Sequence, residues 1–235
     1  MGRLNAVATI ELLNGRDHGR VVARPPHLGD RHFVQIVAAE FAAAAAQCPV
    51  VLSKNPENGE FYAGAILGFK AGENLLRDSD SWAAGFQPLD IVREGFFVID
   101  DQVAIDVDHP RFTAGDPLFE NDGAPAERLR EVQLALGRFK EGLAETEAFI
   151  KRLVALRLVE PIDIALRFDD GERISLAGIY TVSLDALREL DDADALALFR
   201  NGWLQLAYAM IGSLKQVGVL AARRNRALAT APSHG

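Results

Sequence analysis

The sequence predicts an α+β fold: antiparallel β-hairpins form a sheet that helices cover, and a long helix lies near the C-terminus. Three pairs of apolar, strand-like segments are separated by turn residues, of which Asn58-Gly59 and Asp170-Gly171 are the clearest. Elsewhere, apolar residues recur at intervals of three and four, as on one face of a helix. Hydrophobic residues make up 49% of the chain, which is enough to form a sizeable core.

The first part of the chain alternates short strands with one helix. Residues 8–14 and 19–24 are predicted strands on either side of NGRDHG, a stretch rich in turn-forming residues. Residues 34–47 are predicted to be helical, because alanine has the highest helix propensity, and Pro49 ends this helix. The apolar segments around Asn58-Gly59 form the first predicted hairpin.

A second hairpin is predicted across residues 100–102. Its return strand alternates apolar and acidic residues, so Ile105 faces the core, while Asp106 and Asp108 lie on the opposite face. These two aspartates and the adjacent His109 could hold a cation. The alternative is a solvated hairpin edge whose charges discourage aggregation.

Helices dominate the second half of the chain. An apolar stripe from Leu129 to Leu153 predicts an amphipathic helix, which Gly137 and Gly142 could divide into two. A third hairpin then turns at Asp170-Gly171. The further predicted helices are a short one capped by Ser183, one over 192–200 and a long one over 203–222.

One domain is predicted over residues 1–235, with 227–235 as a frayed tail, because neither repeats nor a flexible linker interrupt the chain. Residues 203–222 are long enough for a membrane span, but the central Lys215 would cost about 2.5–3.5 kcal/mol on insertion. We therefore predict a mostly buried helix and no membrane span. The N-terminus lacks the apolar stretch of a signal peptide, so a cytoplasmic location is expected.

Charge and cysteine content exclude several functions. The formal net charge of −8 argues against nonspecific nucleic-acid binding. A local basic cluster, Arg223-Arg224-Asn225-Arg226, is interpreted as a last helical turn that complements the helix dipole; the alternative is a contact with phosphate or a membrane. Cys48 is the only cysteine, so no internal disulfide can form, and its apolar surroundings indicate a buried thiol.

The stretch AGENLLRDSDSWAAGFQP, residues 71–88, contains the polar and aromatic side chains that peptide-binding loops use. Glu73, Asn74, Trp82 and the following Arg93 are candidates for binding a peptide or small polar ligand. The arginine would pair with a carboxylate, the tryptophan would supply apolar area and the asparagine would bind backbone amides. The alternative is a structural loop, in which the asparagine bridges backbone groups and the tryptophan covers a sheet edge.

Three further polar residues complete the candidate set: His18, Glu40 and Asp106. His18 lies in a turn, where it could be exposed and titratable. Glu40 lies in an apolar helix, where it is either paired with an arginine or exposed on the outer side. None of the five histidines is in a local metal-binding pattern, so no metal is predicted. A nucleophile elbow, a phosphate loop and a dinucleotide fingerprint are likewise missing, and the sequence does not identify a cofactor.

Several motifs in order resemble the bacterial SapC family. They are EF…A…PVVL, GENL and PLFENDG, within segments that run from NGRDHGRVVAR to LQLAYAMIGSLKQVGVL and cover nearly the whole chain. The chain has Phe86-Gln87-Pro88 and Arg93-Glu94-Gly95-Phe96 where relatives tend to carry a tyrosine before the proline and Tyr-Pro-Phe after the arginine. The family name implies an association with the bacterial surface layer, and the resemblance implies no particular reaction or catalytic residue.

Three functions are compatible with these observations. The first is a non-catalytic accessory protein that binds a peptide or protein partner and is linked to the cell surface. The second is an enzyme whose site is assembled from separated residues such as His18, Glu40, Arg93 and Asp106. The third is a structural surface-layer component that assembles with calcium through its acidic loops. The exposed side of the final helix could also support a homodimer.

Overall fold

The computed structural model describes residues 9–26, 29, 31–78, 81–82 and 86–230, and it has the predicted α+β fold. The strands are β1 (Ile10–Leu12), β2 (Val22–Ala23), β3 (Phe33–Gln35), β4 (Val50–Lys54), β5 (Phe61–Ile66), β6 (Arg77–Asp78), β7 (Ser81–Trp82), β8 (Phe96–Ile99), β9 (Gln102–Asp106), β10 (Asp116–Pro117), β11 (Val159–Arg167) and β12 (Arg173–Val182). The helices are α1 (Phe41–Ala45), α2 (Leu89–Val92), α3 (Glu127–Ala155), α4 (Leu184–Arg188), α5 (Asp192–Arg200), α6 (Trp203–Ser213) and α7 (Gln216–Thr230).

The contacts between residues divide the chain into two compact units. The first comprises Met1–His27 and Leu89–Glu141, and the second comprises Leu28–Pro88 and Gly142–Gly235. A single domain over residues 1–235 stays a prediction, which one cooperative unfolding transition would support.

The first unit contains a three-stranded antiparallel sheet in the order β1-β9-β8. Its core brings Phe96 and Ile105 of the sheet together with Leu129, Val132 and Leu136 of α3. The predicted strands at the N-terminus appear as the shorter β1 and β2. They pair with β9 and β10 respectively, each in antiparallel register.

The second predicted hairpin, between β8 and β9, is confirmed, with Ile99 opposite Gln102. Asp100 and Asp101 form its two-residue turn with φ values of 47° and 61°. Positive φ at both central residues is what such a turn requires, and aspartate tolerates this conformation better than most residues.

The second unit is organised around a five-stranded antiparallel sheet in the order β11-β12-β4-β5-β3. The first and third predicted hairpins are confirmed, with Lys54 opposite Phe61 and Arg167 opposite Arg173. Pro161 lies inside β11, which begins at Val159. A proline is tolerated there because β11 is an edge strand and needs no second row of hydrogen bonds.

Helix α6 packs against β4, β12 and α1 and so covers part of this sheet. The backbone N–H of Val50 in β4 donates to Oγ of Ser213 in α6 at 2.8 Å. Nearby, the ring of Phe149 lies 6.0 Å from that of Phe41 and 6.4 Å from that of Trp203. The hydrogen bond thus joins α6 to the sheet, and the aromatic cluster joins α1, α3 and α6 to one another.

The predicted helix over 34–47 is wrong in its first part. Val34 belongs to β3, where it pairs with Ala65 of β5 and is 2% exposed. A 3-10 turn over Ala38–Glu40 follows, and only α1 is α-helical. Pairing with a distant strand outweighs the helix propensity of the alanine run, since a β-branched residue suits a sheet position.

Helix α3 is continuous through both glycines that could have divided it. A Cβ added to Gly142 would lie 2.5 Å from Cγ2 of Val37, whereas one added to Gly137 would meet nothing within 4 Å. Gly142 therefore allows close packing of Val37 against the helix and does not interrupt it.

The short helices α4 and α5 occur where they are predicted. Ser183 is the N-cap residue of α4, although its side chain makes no capping hydrogen bond. Helix α5 has the predicted bounds and is followed by Gly202, whose φ of 74° is the left-handed conformation typical of a helix end.

The C-terminal helical segment differs from its prediction in two respects. It consists of α6 and α7 in succession, and only 22% of its most apolar window is buried, so the expectation of a mostly buried helix is wrong. Residues 227–230 belong to α7, while 231–235 lie outside the described residues. Within the described chain, 203–230 is the one stretch whose length and composition would suffice to cross a membrane, which alone is weak evidence for a span.

Candidate functional site

A polar cavity lies in the second unit beside helix α7. Its volume is about 390 Å³. We call it the Arg224 cavity; it is lined by Gly29, Lys70, Gly72, Glu73, Asn74, Leu75, Arg224, Ala227 and Leu228. Two of the predicted site residues, Glu73 and Asn74, therefore line one cavity.

The loop that carries Glu73 and Asn74 is held by its own hydrogen bonds. The N–H of Leu75 donates to the carbonyl of Leu67 at 2.7 Å and closes the loop. Oδ1 of Asn74 accepts from the N–H of Leu76 at 3.0 Å, the side chain-to-backbone turn that asparagine commonly forms. Gly72 has a φ of 83°, which a residue with a side chain rarely adopts. The cavity wall is thus ordered without any ligand.

Glu73 faces both the loop and helix α7. Its Oε2 accepts from the N–H of Phe69 at 2.8 Å. Its Oε1 lies 3.5 Å from Nε of Arg224, which is close enough for an ion pair but not aligned for a hydrogen bond. The carboxylate of Glu73 therefore has one strong structural partner and one weaker electrostatic one.

Arg224 is the most unusual residue of the cavity, because a charged side chain is only 3% exposed. Its guanidinium carbon lies 4.2 Å from the centroid of the Phe168 ring, a favourable cation–π arrangement. Nη2 forms an ion pair with Oε2 of Glu172. Nη1 is buried and has no hydrogen-bond partner. Nε is likewise buried and without a hydrogen-bond partner, so Arg224 has two donor groups that lack an acceptor.

A second cation reaches the same carboxylate. Nζ of Lys70 lies 3.1 Å from Oε2 of Glu172 and 3.3 Å from its Oε1. Glu172 lies at the turn between β11 and β12, and its side chain is 38% exposed. Next to Arg224, Arg223 donates from Nη1 to the carbonyl of Leu75 at 3.1 Å. Two cations therefore converge on one partly exposed carboxylate.

Sequence reasoning missed the central role of Arg224. The basic cluster was predicted to complement the helix dipole, but the last turn of α7 contains no basic residue, so that interpretation is wrong. The sequence did contain a signal, since Arg224 lies one helical turn after the apolar Leu220 and therefore on the same helix face. A basic residue on the buried face of an amphipathic helix indicates a buried ion pair.

The other two candidates in the second unit have different surroundings. Glu40 is 8% exposed, so the alternative of an outward-facing position is wrong. Its Oε2 accepts from the N–H of Val37 at 3.0 Å and stabilises the start of a 3-10 turn. Trp82 pairs with Arg77 across the short β6–β7 ladder; its side chain lies outside the described part of the chain.

His18, in the first unit, is buried and not exposed as expected. Only 6% of it is accessible. Its Nε2 lies 3.1 Å from Oε2 of Glu11, and its Nδ1 accepts from the N–H of Asn14 at 3.3 Å. These contacts close the N-terminal turn, which is a structural role.

Arg93 and Asp106, also in the first unit, have separate partners. Nη2 of Arg93 lies 2.5 Å from Oδ1 of Asp90, and its guanidinium lies 4.4 Å from the Phe139 ring centroid. Oδ1 of Asp106 accepts from the N–H of Asp108 at 3.3 Å. No hydrogen bond or ion pair links Arg93, Asp106 or His18 to one another in the described part of this unit. Across all described residues, no group of three His, Cys, Asp or Glu side chains is placed to hold a metal ion.

The second unit has a further cavity of about 540 Å³ between the β4–β5 hairpin and α3. We call it the hairpin cavity; it is lined by Gln35, Asn55, Pro56, Glu60, Phe61, Tyr62, Ala63, Leu143, Thr146, Glu147 and Ile150. Its buried polar side chain, Thr146, already accepts from the N–H of Ala38 and donates to the carbonyl of Gly142. Lys151 neutralises Glu147. The hairpin cavity therefore offers no unsatisfied buried donor comparable to that of Arg224.

The fold and the cavity define an α+β protein with an ordered, polar, arginine-containing recess. A family model provides the identification: SapC matches residues 13–220, so the chain belongs to the SapC family and the resemblance noted in the sequence is confirmed. Neither a curated protein nor a solved structure matches the chain.

Proposed function

We propose that this SapC-family protein is a non-catalytic accessory protein that binds a peptide or protein partner at the Arg224 cavity. The observation that carries the proposal is the buried guanidinium of Arg224, whose Nη1 has no hydrogen-bond partner. A buried donor left unsatisfied costs about 1–3 kcal/mol. An acceptor on a bound partner would remove that cost, so the arrangement favours a ligand.

The chemistry of the lining suits a peptide. Guanidinium and ammonium groups at Arg224 and Lys70 recognise carboxylate and carbonyl oxygens. Asn74 adds an amide, and Gly72 leaves the wall open for a backbone to approach. Leu75 and Leu228 supply apolar area at the same cavity. A few placed polar groups with apolar neighbours are typical of small binding sites.

Binding is favoured over catalysis by the state of the charged residues. The nine described residues that line the Arg224 cavity include no Ser, Thr, Cys or His, so the commonest nucleophiles and proton-transfer groups are missing from the described part of its wall. Lys70 is paired with Glu172, and Glu73 accepts from the N–H of Phe69. A link to the cell surface and a cytoplasmic location are part of the same proposal and rest on the sequence alone.

The test is co-purification from the native host, followed by mass spectrometry of the retained molecules. Ala227→Leu would add bulk to the wall of the cavity and obstruct a ligand, because Ala227 is exposed and lines it. Ala222→Leu is the matched control: it makes the same change at another exposed position of α7 that does not line the cavity.

We expect the unmodified protein and Ala222→Leu to retain a stoichiometric peptide or protein that Ala227→Leu loses. A partner retained equally by Ala227→Leu would contradict the assignment to this cavity. A specific turnover by the purified chain would contradict the non-catalytic role.

A further inference from the structure

We infer that the Arg224 cavity binds a carboxylate of its peptide ligand, and that Glu172 occupies the same guanidinium in the free protein and must be displaced. The inference rests on the proposed function and adds the chemical group that is recognised. It also makes Glu172 an internal competitor that sets the affinity of the site.

Two cations of the cavity converge on the carboxylate of one residue. Arg224 and Lys70 both contact the carboxylate of Glu172, with Lys70 Nζ at 3.1 Å from Oε2. Both cations also line the cavity, whereas Glu172 does not. A carboxylate on a ligand in the cavity would therefore compete with Glu172 for the same two cations.

The two glutamates that face Arg224 differ in how exposed they are and in how firmly they are held. The side chain of Glu73 is 15% exposed and its Oε2 is held by the N–H of Phe69 at 2.8 Å. The side chain of Glu172 is 38% exposed, and its contacts are to the two long side chains of Arg224 and Lys70. Glu172 is therefore the carboxylate that can leave.

The turn between β11 and β12 is formed without the carboxylate of Glu172. The N–H of Glu172 donates to Oδ1 of Asp170 at 2.9 Å, and its carbonyl accepts from the N–H of Phe168 at 2.9 Å. These backbone contacts persist when the side chain rotates away. Phe168 continues to hold the guanidinium of Arg224 by stacking. The guanidinium of Arg224 thus stays in place when the side chain of Glu172 moves away.

The probes are three mixtures of N-acetylated random tetrapeptides, measured by equilibrium dialysis against the full chain. The first mixture lacks Asp and Glu and has free C-terminal carboxylates. The second contains Asp and Glu but is amidated at the C-terminus. The third lacks Asp and Glu and is amidated, so it carries no carboxylate. Comparing the first two mixtures shows whether the site recognises a C-terminal carboxylate or a side-chain carboxylate.

The variant is Glu172→Gln, and the matched control is Asp169→Asn, which removes one negative charge from the same turn without touching Arg224. We expect Glu172→Gln to bind one carboxylate-containing mixture about fivefold to tenfold more tightly than the unmodified chain. The control and the carboxylate-free mixture should show no such gain. Higher salt should weaken binding, because the contacts are ionic.

The outcomes distinguish the two proposals. If none of the mixtures binds to any of the three proteins, the peptide-binding function itself fails. Equal binding of all three mixtures would leave that function standing but overturn carboxylate recognition. Carboxylate-dependent binding that Glu172→Gln and Asp169→Asn change to the same extent would overturn the role of Glu172 as competitor. Unchanged unfolding temperatures establish that both variants are folded.

Discussion

The guanidinium carbon of Arg224 lies 4.2 Å from the centroid of the Phe168 ring, so a buried charge is held by an aromatic face as well as by carboxylates. Phe168 in turn contacts Phe69, with ring centroids 5.7 Å apart. The ring therefore connects helix α7 to the loop that forms the cavity wall. This arrangement orients the guanidinium even where hydrogen bonds do not.

Replacing Phe168 by leucine should destabilise the protein by about 1–2 kcal/mol, because it removes a ring from a buried cation–π contact and leaves apolar volume unfilled. Urea unfolding monitored by circular dichroism would measure the loss. Phe199→Leu is the matched control, since Phe199 is 67% exposed and the same change should cost little. Equal losses in the two variants would contradict the buried stacking contact.

Gly142→Ala should destabilise the protein by about 1–3 kcal/mol, because the new Cβ would overlap the side chain of Val37. Gly137→Ala, in the same helix, should stabilise it by about 0.5–1 kcal/mol, because nothing lies within 4 Å of the added Cβ and alanine favours the helix. Thermal unfolding of both variants would show whether one loses stability and the other gains it. A gain in Gly142→Ala would show that Val37 does not pack there.

Thr146→Val should cost about 1–3 kcal/mol, because it leaves the buried N–H of Ala38 without the acceptor that lies 2.8 Å away. The hydroxyl of Thr146 also donates to the carbonyl of Gly142 at 2.6 Å. Thr146→Ser keeps the hydroxyl, so it should retain more stability than the isosteric valine variant. The reverse order in chemical denaturation would indicate that the methyl group matters more than the hydrogen bonds.

Arg111→Lys should destabilise the first unit by about 2–4 kcal/mol, since an ammonium cannot span the three carbonyls that the guanidinium binds. Those carbonyls are Arg24, Val92 and Glu94, at 3.0, 2.7 and 2.8 Å. Burial lowers the pKa of Arg111 to about 10, which leaves it charged at neutral pH. Arg138→Lys, on the exposed face of α3, is the control. Hydrogen exchange of the amides in β8 and β9 should accelerate in Arg111→Lys alone.

Cys48 should not react with a thiol reagent at pH 8 unless the protein is unfolded. Burial raises its pKa from 9.0 to about 12, so the native thiol holds a proton that the unfolded chain loses between these values. Stability should therefore fall as the pH rises from about 9 toward 12, by up to about 1.4 kcal/mol per pH unit from this group. Cys48→Ala should lack this component in urea titrations at pH 8 and 10. An identical pH dependence in both proteins would refute the assignment.

The hairpins were predictable because their signals are local. Asn58-Gly59 and Asp170-Gly171 specify turns within a few residues, and the strands on either side follow. The structure of residues 34–47 was not predictable in the same way, because Val34 pairs with Ala65 across the sheet and no local pattern reveals that partner. Non-local pairing of this kind decides between helix and strand when propensities are close.

The candidate site was predictable only where its residues lie close together in the sequence. Glu73 and Asn74 stand out within one loop, but the residue that gives them a cavity lies near the end of the chain. Arg224 pairs with Glu172, 52 residues earlier, and Lys70 reaches Glu172 over 102 residues. His18 is polar and lies in a turn, yet it is buried because Glu11 and Asn14 satisfy it. Burial of a polar group depends on partners that only the folded chain brings together.

The side-chain Nε–H signals of arginine report directly on contact between a ligand and Arg224. A protein labelled with ¹⁵N-arginine would be titrated with the carboxylate-containing tetrapeptides, with the Arg224 signal assigned from the Arg224→Lys variant. We expect the Arg224 signal to shift with peptide concentration, while that of the buried Arg111 stays fixed. Peptide binding with an unmoved Arg224 signal would contradict binding at the Arg224 cavity.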